Sequence, residues 1–564
     1  KNADTVVDAI TAQDIGALPD RSVTEALQRV PGVAINRFAG SNDPDHFSVE
    51  GSGVAVRGLT FVRSEFNGRD SFTANSGRGL SFQDVPPELM GGVDIYKNQT
   101  ADMIEGGIGG TVSLRTRKPF DSSGRIMAVS ADYSYGDMAE EWTPTLSALY
   151  SDRWDTSAGE FGLLLNVADS SLTGLSNGIQ SDAYVKYDAA ELAGAERFVG
   201  VGDGTVWMPN GSNALMKKDE RDRQGYAAAL QWQNSDNTLV STLQFMRSDA
   251  TLSWTEYAIK YQGGYYDENA EQDIRRTRAL EGTQLEFNDK GIFTAGTLVD
   301  SDGWRAADGN TNRIPRAWGD DPVNIPQWGH IFSTDTRVKS TRTLVDDYAF
   351  NLKFTPNDNW EYSLDLQYID AETKDDDVTI MLATHAMQDY STHGKTPSLT
   401  LIEPWNGFRT ANPDIYSEGF PGFSDDPAGD ANYFQDPTSY FWQAAMDHYE
   451  RSEGDSLAGR IDVKHSLDDG FITAITGGIR HAEREQTVRY SVYNWGSLGP
   501  RWQSDIYWAD LEKVADQSYS SVDWSDFHRG GVLTIPGNNM LHASPSLVKE
   551  VVNGRQLLAD AGSF

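Results

Sequence analysis

The sequence predicts a membrane all-β fold, an antiparallel transmembrane β-barrel behind a small α+β domain, and three observations predict it. Segments of period-two polarity recur through residues 121–564. Tight polar turns between them alternate with long excursions, of which compact soluble domains rarely carry even one. The chain is only 38% hydrophobic, and no run approaches the ~18 apolar residues of a membrane helix, whereas a spanning strand needs about 9–11 residues of alternating polarity.

Composition narrows the function. With 47 Lys+Arg against 83 Asp+Glu the net charge is −36, which repels phosphate backbones, so no nucleic acid is expected. The absence of cysteine removes disulfides, thiolate metal sites and a Cys nucleophile. Residues 1–120 hold 12 basic and 15 acidic residues, so nearly all the surplus falls beyond Lys118–Asp121 and two domains are expected, 1–120 and 121–564.

The first domain reads in order. Ser22-Val-Thr-Glu25 is a capping-box pattern, and Ala26, Leu27 and Val30 follow at helical spacing until Pro31-Gly32 stops the helix. β-prone runs follow at Gly32–Ile35, Val54–Val56, Gly92–Lys97 and Thr111–Thr116. The glycines 106–110 lead into the last of these as a turn and lack the context of a phosphate loop.

The second domain repeats a hairpin. Tyr348, Phe350, Leu352 and Phe354 share one face of a strand, a turn follows at Pro356–Asn359, and Trp360, Tyr362, Leu364, Leu366 and Tyr368 alternate with polar residues beyond it. The same unit recurs at Tyr226–Phe245 and Leu457–Ile479, and segments near 125–135, 141–150 and 160–170 bring the total to about nine strands. Long excursions are expected at about 171–221, 249–340, 373–454 and 488–564. Short turns on one side and long loops on the other describe an outer-membrane barrel, with Trp232, Trp360 and Tyr368 in its interfacial girdles. A soluble secreted carbohydrate-binding or carbohydrate-cleaving β protein is the alternative of another class. A domain of 120 residues is about 35 Å across, and enclosing it takes roughly 20 strands, so the chain reads as the front part of a longer barrel.

Four linked motifs then carry a family resemblance. Val23–Val33, Val56-Arg-Gly-Leu59, Pro87–Lys97 and Gly106–Pro119 resemble, in order and spacing, the plug of TonB-dependent outer-membrane receptors. The resemblance implies a plug inside a 22-stranded barrel of the bacterial outer membrane, acting as a monomer. It implies TonB with ExbB–ExbD as the energy source, and lipid and lipopolysaccharide as surroundings. Its style is similar to the branch associated with oligosaccharide uptake, with ferric siderophore or cobalamin import as the alternative. Asp4, Thr5, Val6 and Val7 look like a TonB box able to add as a strand to TonB. Arg57, Gly58, Gly109 and Gly110 carry over as plug signature residues, with Arg57 expected to pair with a carboxylate where plug meets barrel.

For the substrate, Arg37, Phe38, Asp43, Phe61, Arg63, Glu65, Phe72 and Asn75 match plug positions that face the outer mouth, and they combine rings for stacking with groups for hydroxyls. Trp254, Trp405 and Trp442 are the loop candidates, among many loop aromatics that could equally pack on one another. Residues 373–455 carry 15 acids against 4 bases, a field that repels anionic chelates and tolerates a neutral oligosaccharide. No enzyme, cofactor or metal is expected. The His residues show no metal-ligand spacing, Gly174-Leu-Ser-Asn-Gly178 opens a polar loop without the helix of a nucleophile elbow, and Asp308, Asn310 and Asn312 lack a calcium loop's closing Glu.

Overall fold

Nine long strands realise the alternation in the computed structural model, each antiparallel to its neighbour in the sheet. It describes residues 5–11, 22–40, 43–47, 50–51, 53–75, 79–181, 184–189, 204–209, 211–262, 277–279, 283–300, 330–403, 432–437, 440–467, 471–498 and 518–549. The calcium-loop residues 308–312 lie outside them.

The amino-terminal domain centres on one mixed sheet. Its strands are β1 (Val7–Thr11), β2 (Val62–Phe66), β3 (Arg69–Asp70), β4 (Met90–Tyr96) and β5 (Gly110–Thr116), ordered β1-β4-β5-β2-β3 with β2 and β5 parallel. Helix α1 (Val23–Leu27) starts where expected, because the Ser22 hydroxyl accepts from the Glu25 amide at 3.2 Å. Its Val23, Ala26 and Leu27 join Val93, Ile95, Val112 and Leu114 in the core. At the Val56–Leu59 turn, Arg57 (φ 54) and Gly58 (φ 77) both take left-handed φ while Val56 and Leu59 exchange two backbone hydrogen bonds, as in a two-residue hairpin turn.

The large sheet follows in chain order. Its nine long strands are β6 (Ile126–Gly136), β7 (Glu141–Thr156), β8 (Gly159–Ser181), β9 (Gly211–Gln233), β10 (Leu239–Gln262), β11 (His330–Asn357), β12 (Trp360–Ser391), β13 (Phe441–Ser466) and β14 (Ala474–Tyr490), and short strands such as Phe293–Asp300 and Ser398–Ile402 add to it. Register places the apolar positions in continuous rows, such as Leu239, Phe354, Tyr362 and Val463, and Phe245, Tyr348, Tyr368 and Leu457. These side chains form a belt on the outward face. Its lower girdle holds the stacked pairs Trp154/Phe161 and Trp360/Tyr362, and its upper girdle holds Tyr348 between Phe245 and Tyr368. From Trp360 to Tyr368 the strand rises about 26 Å at ~3.3 Å per residue, or about 20 Å across a membrane once tilted ~40°. That fits within the ~25 Å apolar band of an outer-membrane barrel. On the opposite face, Ala168, Ala227, Met246, Val345, Ile369 and Ala371 merge into the core of the amino-terminal domain, which therefore sits in the lumen.

The strands outrun the expected boundaries. Residues 171–181, 249–262 and 373–391 are paired strand rather than loop, and Gly174–Gly178 lies inside β8 against Leu215–Asp219. Asp375 and Asp377 face inward from β12 to Lys339 and Arg337, while Asp376 faces outward to Arg451. The cause is visible on the outward face above the belt. There Arg247 pairs with Asp346 and Arg342 with Asp249, so ladder hydrogen bonding continues where apolar alternation stops. Higher still, outward Thr334 and Thr336 donate to Leu541 O and Ala543 O, both at 2.7 Å. The hairpin of Tyr519–Asp523 with Asn539–Ala543, continued by α2 (Pro545–Lys549), covers the wall there. His542 is buried in that cover, against Asp335 O at 3.1 Å and edge-on to Tyr257, and burial lowers its pKa to about 3.

Candidate functional site

Charge holds the lumen domain to the wall. Glu50, 1% exposed, meets both Arg223 and Arg221 of β9, and Asp84 faces Arg221 at 3.4 Å and accepts from Thr343 of β11 at 2.9 Å. Burial raises the Asp84 pKa, with Arg221 opposing. A second anchor is Arg69, whose Nε and Nη2 grip both oxygens of Asp365 on β12 at 2.5 and 2.9 Å. Between the anchors the surfaces touch directly. A Cβ on Gly225 of β9 would stand 2.6 Å from Leu89, so only glycine admits this approach.

The anticipated substrate residues divide among different surroundings. Phe72 is 1% exposed, backed by Gly454 and capped by the Arg484 guanidinium 3.5 Å from its ring centre, and Gln486 donates to Asn75 O at 2.6 Å. Arg63 bonds Asp70 at 2.8 Å and Glu105 O at 2.9 Å. Glu65 beside it is buried, which raises its pKa against the pull of Arg63. Phe61 is 71% exposed, and Arg37 is tied to Gln28 of the segment after α1 at 3.0 Å. Phe38 and Asp43 lie in the short strands Phe38–Gly40 and Asp43–Phe47, with side chains outside the described residues, as is all of Trp405. Trp442 packs with Leu382, Leu541 and Val548 under the cover on the outward face, not in the lumen.

Signature and box residues also find places. Arg57 reaches Asn98 Oδ1 at 3.4 Å within its own domain, and the plug–wall ion pair expected of it is made by Arg69 instead. Gly109 donates to Phe61 O at 3.0 Å and Gly110 opens β5. Asp4 lies outside the described residues, Val6 is 56% exposed, and Val7 begins β1 at the sheet edge. Thr5 Oγ1 donates to Asn98 O at 3.4 Å.

A second cluster lies on the inner wall above the plug contacts. Glu256, Arg337, Thr379, Met446 and Trp495 form one cross-strand row on the lumen face. With Lys260, Asp335 and Tyr493 they line a recess of about 150 Å³. Its cations are already matched, Lys260 to Asp335 at 2.9 Å and Arg337 to Asp377 through two bonds of 2.8 and 2.6 Å. One row lower Trp254 is buried, with Lys217 Nζ and Arg337 Cζ each 5.0 Å from its ring. Tyr493 and Trp495, by contrast, are 44% and 54% exposed. Sequence reasoning missed Glu256, Lys260, Asp335 and Arg337, because they fall within the presumed 249–340 excursion. No period-two signal marks them, because the outward Thr251, Ser253 and Thr255 are polar while the inward face mixes Trp254 and Ala258 with Glu256 and Lys260.

A small α+β domain ion-paired inside an antiparallel sheet, itself belted outward by one hydrocarbon thickness of apolar residues, defines the plugged β-barrels of the bacterial outer membrane. Residues 1–111 match the family model described as TonB-dependent Receptor Plug Domain, a receptor class rather than an enzyme class. The structure is similar to the ferric citrate transporter FecA in its unliganded form at 10% identity, over 86% of this chain and 89% of that one, with a TM-score of 0.27. A mutant of the ferric enterobactin receptor PfeA from Pseudomonas aeruginosa gives 10% identity, 85% and 90% coverage and a TM-score of 0.25. The siderophore receptor PirA from Acinetobacter baumannii gives 10%, 86% and 77%, and 0.24. No curated protein matches the sequence.

Proposed function

We propose that the protein is a TonB-dependent importer, in which residues 1–120 plug a barrel begun by residues 121–564 and TonB, driven by ExbB–ExbD, engages Asp4–Val7. The plug-family match over residues 1–111 is the observation that carries this reading. The short helical turn Pro119–Asp121 leading into β6 supports the boundary.

For the substrate the reading is an oligosaccharide, taken first at the wall recess. Its cations are internally neutralised, so it offers no net positive platform to an anionic chelate. Carboxylates able to accept hydrogen bonds from sugar hydroxyls lie beside two exposed rings able to stack on a sugar face. The test is binding to the purified protein across a panel of neutral oligosaccharides and ferric siderophores, with Trp495→Ala alongside. Loss of one stacking ring of this kind weakens affinity by roughly 0.5–1.5 kcal/mol, a few-fold to tenfold. Tight binding of a ferric siderophore with no oligosaccharide bound would replace the sugar reading by iron uptake.

A further inference from the structure

Plug and wall meet in two ways. Against β8–β11 the seam is closed, because Ala168, Ala227, Met246 and Val345 merge with the plug core and Glu50 clamps Arg221 and Arg223 beside them. Beside the Asn67–Gly68 turn it is open. A polar gap of about 290 Å³ lies there between Asn67 and Arg69 of the plug and Ser363, Arg460, Asp462 and Arg480 of β12–β14. It has room for roughly ten waters at ~30 Å³ each. The gap shares a sector of wall with the recess, further down the same strands. By register Thr379 stands beside Met446 at the recess, then Asp375 beside Glu450, Ala371 beside Gly454, and Asp365 beside Arg460 at the gap. One ring divides this column. Phe72 is buried against Gly454, where a Cβ would stand 3.1 Å from it, and lies under the Arg484 guanidinium. Two hydrogen bonds tie its segment to the wall, Gln367 Nε2 to Asp70 O at 3.1 Å and Gln486 Nε2 to Asn75 O at 2.6 Å.

We propose that the oligosaccharide passes the plug down this column, with Phe72 against Arg484 as the gate and the polar gap as a transit subsite below it. The inference rests on the transport reading and adds its route. Chemistry selects the side. Along β12–β14 a sugar leaving the recess meets carboxylates, hydroxyls and amides at successive levels, so its hydroxyls exchange one set of partners for another. Along β8–β11 it would have to enter an apolar core or part a buried ion pair, leaving polar groups unmatched. In the gap Arg69 is held by Asp365 and Arg460 by Asp462, so these pairs offer hydrogen bonds without capturing a charged group. Only the ring–guanidinium contact and two hydrogen bonds need to part for the column to become continuous.

The test reads ion current through the full protein in planar phospholipid bilayers bathed in KCl, where the wild type should stay closed. Phe72→Ala should conduct, and Arg484→Ala, which leaves the plug itself untouched, should conduct as well. Position along the route is then read with thiols, since the 564 residues contain no cysteine. In the Phe72→Ala background, Ser363→Cys in the gap should let a charged methanethiosulfonate block the current. Asn166→Cys in the closed seam, where Asn166 donates to Glu88 O at 3.1 Å, should leave it unblocked. Silent Phe72→Ala and Arg484→Ala variants, or block through Asn166→Cys and not through Ser363→Cys, overturn the route. Failure of the substrate reading looks different, because binding of a ferric siderophore in place of sugar changes the cargo and leaves both currents and their block intact. A wild-type protein that does not insert would overturn the membrane reading, and the route with it.

Discussion

The same strands live in two solvents. In the lower part of β9–β13 the outward face is Tyr, Phe, Leu and Ile and the inward face grips the plug. In the upper part the outward face carries ion pairs and loop cover, and the inward face carries the charged recess. Backbone pairing does not change between them. The comparison teaches that the ladder sets the architecture, while side-chain chemistry along it only assigns each level to lipid, water or plug.

The largest way to break that comparison is at the buried clamp. Glu50→Ala leaves Arg221 and Arg223 buried without it and should loosen the plug by about 3–5 kcal/mol, read as faster hydrogen exchange across β4 and β5. The outward Asp249→Ala, by contrast, should cost no more than ~1 kcal/mol, because its pair with Arg342 is half in water. Equal effects would erase the distinction between levels. Next, Leu243→Arg in the belt should destabilise the barrel by about 2–4 kcal/mol in detergent or lipid unfolding, whereas Thr251→Arg above the belt should change it by no more than ~1 kcal/mol.

The smallest expected effect concerns pH, and it sharpens the upper half alone. His542 is held neutral when folded, with its pKa lowered to about 3 from an ordinary value near 6.5. Between those values the unfolded chain binds the proton and the folded one does not, so stability rises with pH across that window. Acidification below about 6.5 should therefore loosen the cover of residues 518–549 while the belt stays put. Hydrogen exchange at pH 7 and pH 5 measures it, and His542→Gln should flatten the dependence.

How much was legible follows from the same division. The nine strands, their short turns and both girdles could be read because lipid demands an apolar residue at each outward position, which is every second residue. The upper wall could not, because Thr251, Ser253 and Thr255 occupy the outward positions there and hydropathy no longer alternates. Trp442 illustrates the cost for the site. Its aromatic character was readable, but which face of the wall it takes depends on an irregularity between Met381 and Leu382 in the pairing with β13, which leaves no mark in composition. Arg57 resembles a charge anchor in sequence, yet a tight turn with left-handed φ fixes it within the plug.

The place of β1 has a mechanical consequence. It pairs only with β4 in the plug sheet, from Val7 opposite Tyr96 to Thr11 opposite Gly92, and Lys97 binds Asp8 at 2.5 Å and Pro31 O at 2.6 Å near its leading end. A tug on the residues before Val7, directed away from the sheet, would load the first rung alone rather than all five together. The strand would then peel like tape, with the Lys97 fastening yielding early and each later rung at little added force. An edge position thus turns a modest steady pull into stepwise release, where a central strand would resist as one block.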